Sequence, residues 1–120
     1  MEVKTILCVE DDEDSCQLLQ YLLESKGYEV KTCGNGREAL KIIRTGKFLS
    51  IILDYRLPDM SGVEICREIR SFDSKTPIIF YTGAAYPKDK KAGLEAGAQA
   101  YLIKPNDFEK IVETVRRFVL

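Results

Sequence analysis

Short apolar runs rich in β-branched residues alternate with segments of helical period along the whole chain, and this alternation constrains the fold more than any other feature. Residues 3–9, 28–33, 49–53, 78–81 and 99–103 read as strands. Residues 14–26, 37–45, 61–71, 88–96 and 107–119 carry helical patterns. Leu18, Leu19, Leu22 and Leu23 form one apolar stripe, Ala39, Leu40 and Ile43 the next, and Val63, Ile65, Cys66 and Ile69 a third. Gly27 and Gly97 stand where helices should stop. Strict alternation of this kind predicts an α/β fold of three layers, a parallel sheet with helices on both faces. The stretches FLSIIL and PIIFY are almost continuously apolar, as strands covered on both faces must be. Right-handed crossovers leave only a few doubly wound orders, and in all of them ligands sit beyond the carboxyl ends of the strands.

A length of 120 residues predicts one domain over 1–120, large enough to fold without metal or disulfides. The net charge of −1 provides no global attraction to nucleic acid or to an anionic membrane. No apolar stretch is long enough to span a bilayer, and MEVKTILCVEDD lacks the long apolar core of a secretion signal. The expectation is a cytoplasmic protein. Cys8, Cys16, Cys33 and Cys66 include no C-x-x-C pair, which argues against a zinc or thioredoxin-type site. Cys8 and Cys33 are expected to act as small buried hydrophobes. The chain has no histidine, which removes Ser-His and Cys-His catalysis and the commonest transition-metal ligand.

The predicted strand ends then carry the chemistry. The first strand ends in Glu10-Asp11-Asp12, the third in Asp54, the fourth in Thr82-Gly83 and the fifth in Lys104-Pro105. The second ends in Cys33-Gly34, which suits an edge strand away from the site. Each residue also has an ordinary structural use. Asp12, Glu13 and Asp14 can cap a helix and complement its dipole, Asp54 can form a turn, and Thr82 can cap the next helix. Carboxylates facing a hydroxyl and a lysine at one edge are, taken together, the parts needed for phosphoryl transfer. Magnesium takes several oxygen ligands and keeps some waters, so Asp11 and Asp54 could bind it directly and Glu10 through water. The metal would offset the mutual repulsion of the acidic cluster. Asp54 could then attack a phosphoryl group, with Lys104 as a second positive charge and Thr82 as a hydrogen-bond donor.

The segments V-E-D-D, I-L-D-Y-R-L-P-D-M-S-G, Y-T-G-A and Y-L-I-K-P, in that order, resemble the CheY-like receiver domains of two-component response regulators. The resemblance runs from Ile6 to the last helix. It implies a flavodoxin-like (βα)5 fold with strand order 2-1-3-4-5. It further implies a Mg2+-dependent phosphoacceptor in a phosphorelay, a signalling domain rather than an enzyme. By position, Asp54 would be the phosphoacceptor. Glu10, Asp11, Asp54 and the backbone carbonyl of Arg56 would hold the metal. Thr82 and Lys104 would bind the phosphoryl group, and Tyr101 would be the switch aromatic of the surface made by helix 4, strand 5 and helix 5. Glu10 stands where the family more often has Asp, and Arg56 places a bulky cation beside the acceptor.

The implied phosphoryl donor is a histidine kinase or a histidine phosphotransfer protein, docking near helix 1, where Cys16 and Gln20 are expected to be exposed. Lys88, Lys90, Lys91 and Lys110 form a basic patch on the switching surface, either a solvated face or an output-partner site. The domain is expected to bind neither nucleic acid nor membrane and to be a monomer or a phosphorylation-dependent dimer. Other classes fit less well. A haloacid-dehalogenase-type phosphatase needs a second Asp where Arg56 stands. A flavin module needs a glycine- and hydroxyl-rich loop where the chain has EDDED. A receiver used only for protein contact has no need of the acids, Thr82 and Lys104 together. The downstream output and any fused effector are not encoded in these residues.

Overall fold

A computed structural model describes residues 3–118. The elements in chain order are β1 (Thr5–Val9), α1 (Glu13–Ser25), β2 (Glu29–Cys33), α2 (Gly36–Thr45), β3 (Ser50–Leu53) and α3 (Gly62–Phe72). They continue as β4 (Ile78–Thr82), α4 (Pro87–Glu95), β5 (Ala100–Ile103), a 3-10 turn (Phe108–Lys110) and α5 (Ile111–Phe118). The strands form one parallel sheet of order β2-β1-β3-β4-β5. This is the flavodoxin-like arrangement that the resemblance implied.

The pleat of each central strand splits its side chains between two cores. Leu7, Val9, Ile51, Leu53, Ile78, Phe80 and Tyr101 face one side, packed with Ala39, Ile43, Ile65, Cys66, Ile69 and Ala96 from α2, α3 and the end of α4. Ile6, Cys8, Ile52, Ile79, Tyr81 and Leu102 face the other, against Leu19 and Leu23 of α1 and Ile111, Val112 and Val115 of α5. β2 has one covered neighbour and mostly exposed or half-buried residues, as expected of an edge strand. Cys8, Cys33 and Cys66 are buried, Cys16 is half-buried, and all four thiols are free.

Helix ends follow local chemistry. The Asp12 carboxylate accepts from Ser15 N at 3.0 Å and caps α1, and Gly27 (φ 92°) allows the left-handed exit that a β-carbon would strain. Ser61 and Glu64 form a reciprocal capping box on α3. The N-terminus of α2 has two caps. Asn35 accepts from Glu38 N, and Asp59, reaching over from the loop after β3, accepts from Gly36 N at 2.7 Å and Arg37 N at 2.9 Å.

Several boundaries differ from the sequence reading. β1 begins at Thr5 rather than at residue 3. The last helical segment opens as a 3-10 turn, because the Asp107 carboxylate is committed to Ile103 N at 2.8 Å while Lys110 N donates back to Asp107 O. The expected end of that helix, Val119, lies outside the described residues. Leu18 leaves the expected buried stripe and is 58% exposed. Leu19 and Leu23, four residues apart, already cover the sheet, so Leu18 falls on the flank of α1.

Candidate functional site

Sheet register brings the strand ends together. Val9 pairs with both Cys33 and Leu53, and Thr82 pairs with Ile103. The residues that follow are locked by backbone bonds: Asp54 N donates to Val9 O at 3.1 Å, Glu10 N to Cys33 O at 2.9 Å and Lys104 N to Thr82 O at 2.9 Å. Glu10, Asp11, Asp54, Thr82 and Lys104 therefore share one edge, with β4 and β5 running two residues past the level at which β1 and β3 end. Gly62 seals the loop beneath Asp54, since a β-carbon there would collide with the Asp54 carbonyl oxygen.

Carboxylate oxygens of Glu10, Asp11 and Asp54 lie within 4.8 Å of one another. Glu10 is buried, the Asp54 side chain is 12% exposed, and Asp11 is open to solvent. The Lys104 ammonium sits between the two covered acids, donating to Glu10 Oε1 and, at 3.3 Å, to Asp54 Oδ2. The second oxygen of each acid has a backbone donor: Asp12 N to Glu10 Oε2 at 3.0 Å and Tyr55 N to Asp54 Oδ1 at 2.7 Å. Burial alone would lower the Lys104 pKa. The bond to Glu10 and the charges of Asp54 and Glu10 outweigh it and hold the ammonium above its usual range. The lysine is thus a fixed cation among acids that would otherwise repel.

These donors suit a hard divalent cation: three convergent carboxylates, one of them solvent-facing, with no thiolate or imidazole in the set. Arg56 lies in the loop after β3 and bridges to Ser61. That bridge is closed by Gly62 N donating to Tyr55 O at 2.6 Å, so among the described residues the Arg56 carbonyl takes no part in it. The Arg56 side chain is exposed.

Thr82 is 1% exposed, and its hydroxyl accepts from Ala84 N at 3.2 Å rather than meeting the acids. Tyr101 is also buried. Its hydroxyl donates to Ala84 O at 2.6 Å, and its ring stacks on Phe80 at 5.2 Å. Burial pushes the Tyr101 phenol well up, so it stays a protonated donor. Ala84 thus joins Thr82 to Tyr101 through its two backbone groups. Sequence reasoning missed this joint, although the Ala of Y-T-G-A marked its place. It also missed the aromatic run from Tyr55, beside the acceptor candidate, through Phe80 at 6.2 Å to Tyr101.

The four lysines of the predicted basic patch are exposed. On α1, by contrast, Cys16 and Gln20 are half-buried; Cys16 Sγ donates to Glu10 O at 3.2 Å. The large apolar side chains exposed on that helix are Leu18 and Tyr21. Leu18 borders an apolar groove of about 390 Å3 shared with Tyr81, Pro105 and Phe108.

The response regulator receiver domain model matches residues 6–116. The chain belongs to the response regulator receiver family. The uncharacterized transcriptional regulatory protein YkoG of Bacillus subtilis is 40% identical over 116 residues, 97% of this chain and 51% of the relative. The alkaline phosphatase synthesis transcriptional regulatory protein PhoP of the same organism is 44% identical over 102 residues, 85% of this chain and 42% of the relative. This receiver domain therefore spans about half the length of the curated relatives it matches. Among solved structures, response regulator protein TrrA of Thermotoga maritima, in complex with Mg2+-BeF, superposes with a TM-score of 0.87 at 34% identity, covering 97% of this chain and 99% of that one. No helix among the described residues is long and apolar enough to cross a membrane.

Proposed function

We propose that Asp54 accepts a phosphoryl group from a histidine of a partner protein and that the domain relays this event as a conformational signal. The observation that carries the reading is Lys104, an ammonium shared by the buried Glu10 and by Asp54 inside a three-carboxylate cluster. Mg2+ would be held by Glu10, Asp11, Asp54 and the Arg56 carbonyl, and when bound it neutralises charge on the phosphoryl oxygens. Asp54 supplies the attacking carboxylate oxygen. A P–O bond forms at Asp54 as the P–N bond to the donor imidazole breaks, and the imidazole nitrogen regains a proton from solvent. The chain has no histidine, so the donor comes from a kinase or phosphotransfer protein. The groove beside Leu18, with Tyr21 exposed on the same helix, suits a helical donor near the Asp54 edge.

Lys104 then moves its hydrogen bonds from the bare carboxylates to the phosphoryl oxygens. Thr82 exchanges the Ala84 amide for a phosphoryl oxygen. Because Ala84 also holds the Tyr101 hydroxyl, that exchange biases Tyr101 between its buried position and an outward one. The face made by α4, β5 and α5 reports the difference. A non-enzymatic signalling role in the cytoplasm follows, in keeping with relatives that are transcriptional regulators.

Intact mass after incubation with acetyl phosphate and Mg2+ tests this reading. One phosphoryl adduct is expected on the wild type, lost on chelation of the metal and absent from Asp54→Asn. An adduct that persists at the wild-type level in Asp54→Asn would overturn the assignment.

A further inference from the structure

The N-terminus of α2 has more caps than a helix start needs. Asn35 already accepts from Glu38 N at 2.9 Å, and the other free amides of an exposed helix end can turn to water. Yet Asp59 reaches across from the loop after β3 to take Gly36 N at 2.7 Å and Arg37 N at 2.9 Å, 23 and 22 residues away in sequence. The bonds from Gly36 and Arg37 hold its carboxyl below the usual carboxylate range, so at neutral pH the clasp joins a charged acceptor to two amides. Met60 sits beside it, where a β-carbon on Gly36 would collide with the Met60 side chain. The contact therefore does more for the loop than for the helix.

That loop carries one arm of the acidic cluster. Its base is closed by Gly62 N donating to Tyr55 O at 2.6 Å, and Asp59 and Met60 fasten its far end to α2. Asp54 and Arg56 belong to this arm. The other arm, Glu10 and Asp11, lies against the turn that leads into α2. Glu10 N donates to Cys33 O at 2.9 Å, and a β-carbon on Gly34 would lie 3.9 Å from Asp11 Cα. The start of α2 thus touches both arms, one through the chain at Cys33-Gly34 and the other through Asp59. We propose that Asp59 is a positioning residue for divalent-cation binding, its two bonds to α2 fixing the Asp54–Arg56 arm against the Glu10–Asp11 arm. The inference rests on the receiver reading above and adds a residue outside the carboxylate cluster to it. Ligands held in place before the ion arrives lose less freedom on binding it. Without the clasp every ligand remains, but the two arms drift and the ion binds more weakly. Linkage requires the reverse as well, so a bound ion tightens the clasp.

Calorimetric titration with Mg2+ tests the proposal. Asp59→Ala should bind Mg2+ at least about threefold more weakly than wild type. Asp59→Asn keeps one acceptor oxygen but turns an amino group toward the second amide, so its affinity should fall between the two. Asn35→Ala is the control. It removes the other cap of α2 and lowers the denaturation midpoint, but leaves the Asp59 clasp, so it should keep the wild-type Mg2+ affinity. In the wild type, saturating Mg2+ should slow amide hydrogen exchange at Gly36 and Arg37. Wild-type Mg2+ affinity in Asp59→Ala overturns the inference. So does an equal loss of affinity in Asn35→Ala, which would make the effect a general loosening of α2, and so does exchange at the two amides that ignores Mg2+. The acetyl phosphate adduct on the wild type is measured alongside. If it forms while Mg2+ affinity is indifferent to Asp59, the positioning inference fails and the receiver reading stands. If the wild type binds Mg2+ but takes no adduct, the receiver reading itself fails.

Discussion

Lys104 satisfies two acids at once, and its removal should show what it offsets. In Lys104→Ala, Glu10 and Asp54 would face each other without a cation, at a cost of roughly 1–3 kcal/mol. The denaturation midpoint measured without divalent cations should fall, and saturating Mg2+ should restore most of it. A midpoint equal to wild type and indifferent to Mg2+ would show that the lysine does not hold the acids. Asp73 makes a separate prediction about pH. Burial pushes its carboxyl up, but the Thr76 hydroxyl at 2.5 Å and the Thr76 and Lys75 amides at 3.0 Å outweigh it and hold the pKa below the usual carboxylate range. A depressed folded pKa stabilises above the unfolded value near ~3.9 and loses that stabilisation as pH falls through the folded value. Asp73→Asn should therefore be destabilised at neutral pH and approach wild type in strong acid. An equal deficit at both pH values would rule out the charge as the cause. Asp54 and Lys104 were legible only together with Glu10, Asp11 and Thr82, because each alone reads as a turn or a cap and it is their meeting at one sheet edge that is unusual. Asp73 and Asp59 were not, because a capping acid looks like any surface acid until the amides it serves are placed.

The element that decides the switch geometry is α4, through a residue with no side chain. A β-carbon on Gly93 would lie 2.9 Å from Tyr101 Cδ2 and 3.1 Å from Phe80 Cε2. Tyr101 reaches its buried position, stacked on Phe80, because α4 offers bare backbone there. Gly93→Ala gains about 1 kcal/mol of helix propensity but must displace the ring at about 1–3 kcal/mol, for a net loss of up to about 2 kcal/mol. The Tyr101 ring signals in NMR should move toward those of a solvated tyrosine, and beryllofluoride should no longer shift them. Unchanged ring signals would mean that the helix gives way instead. From sequence, Gly93 was only a small residue in a weakly patterned helix. Its role depends on the packing of α4 over β4 and β5, which no local pattern encodes. The 3-10 opening before α5 was hidden for a related reason: the Asp107 carboxylate serves the Ile103 amide, a bond the helical period does not reveal.

For the whole molecule, alternation of strand and helix was enough to predict the three layers, the parallel sheet and the edge at which chemistry would gather. The order of the strands was not derivable from periodicity and came from the family resemblance; the sheet has that order. The site follows from register, since Val9 and Leu53 end their strands at one level and hand on Glu10 and Asp54, while β4 runs two residues beyond that level and Thr82 holds Lys104 by a backbone bond. The division of helices, α1 and α5 on one face and α2 to α4 on the other, then separates the proposed donor groove from the aromatic core under α4. The central claim is that this edge makes an aspartyl phosphate at one position. Acetyl phosphate treatment with Mg2+, borohydride reduction and peptide mass mapping test it most directly, because reduction converts an acyl phosphate of aspartate to homoserine. Homoserine is expected at position 54 and at no other acid. Homoserine at position 11 or 12, or at several acids without regard to Mg2+, would contradict the claim.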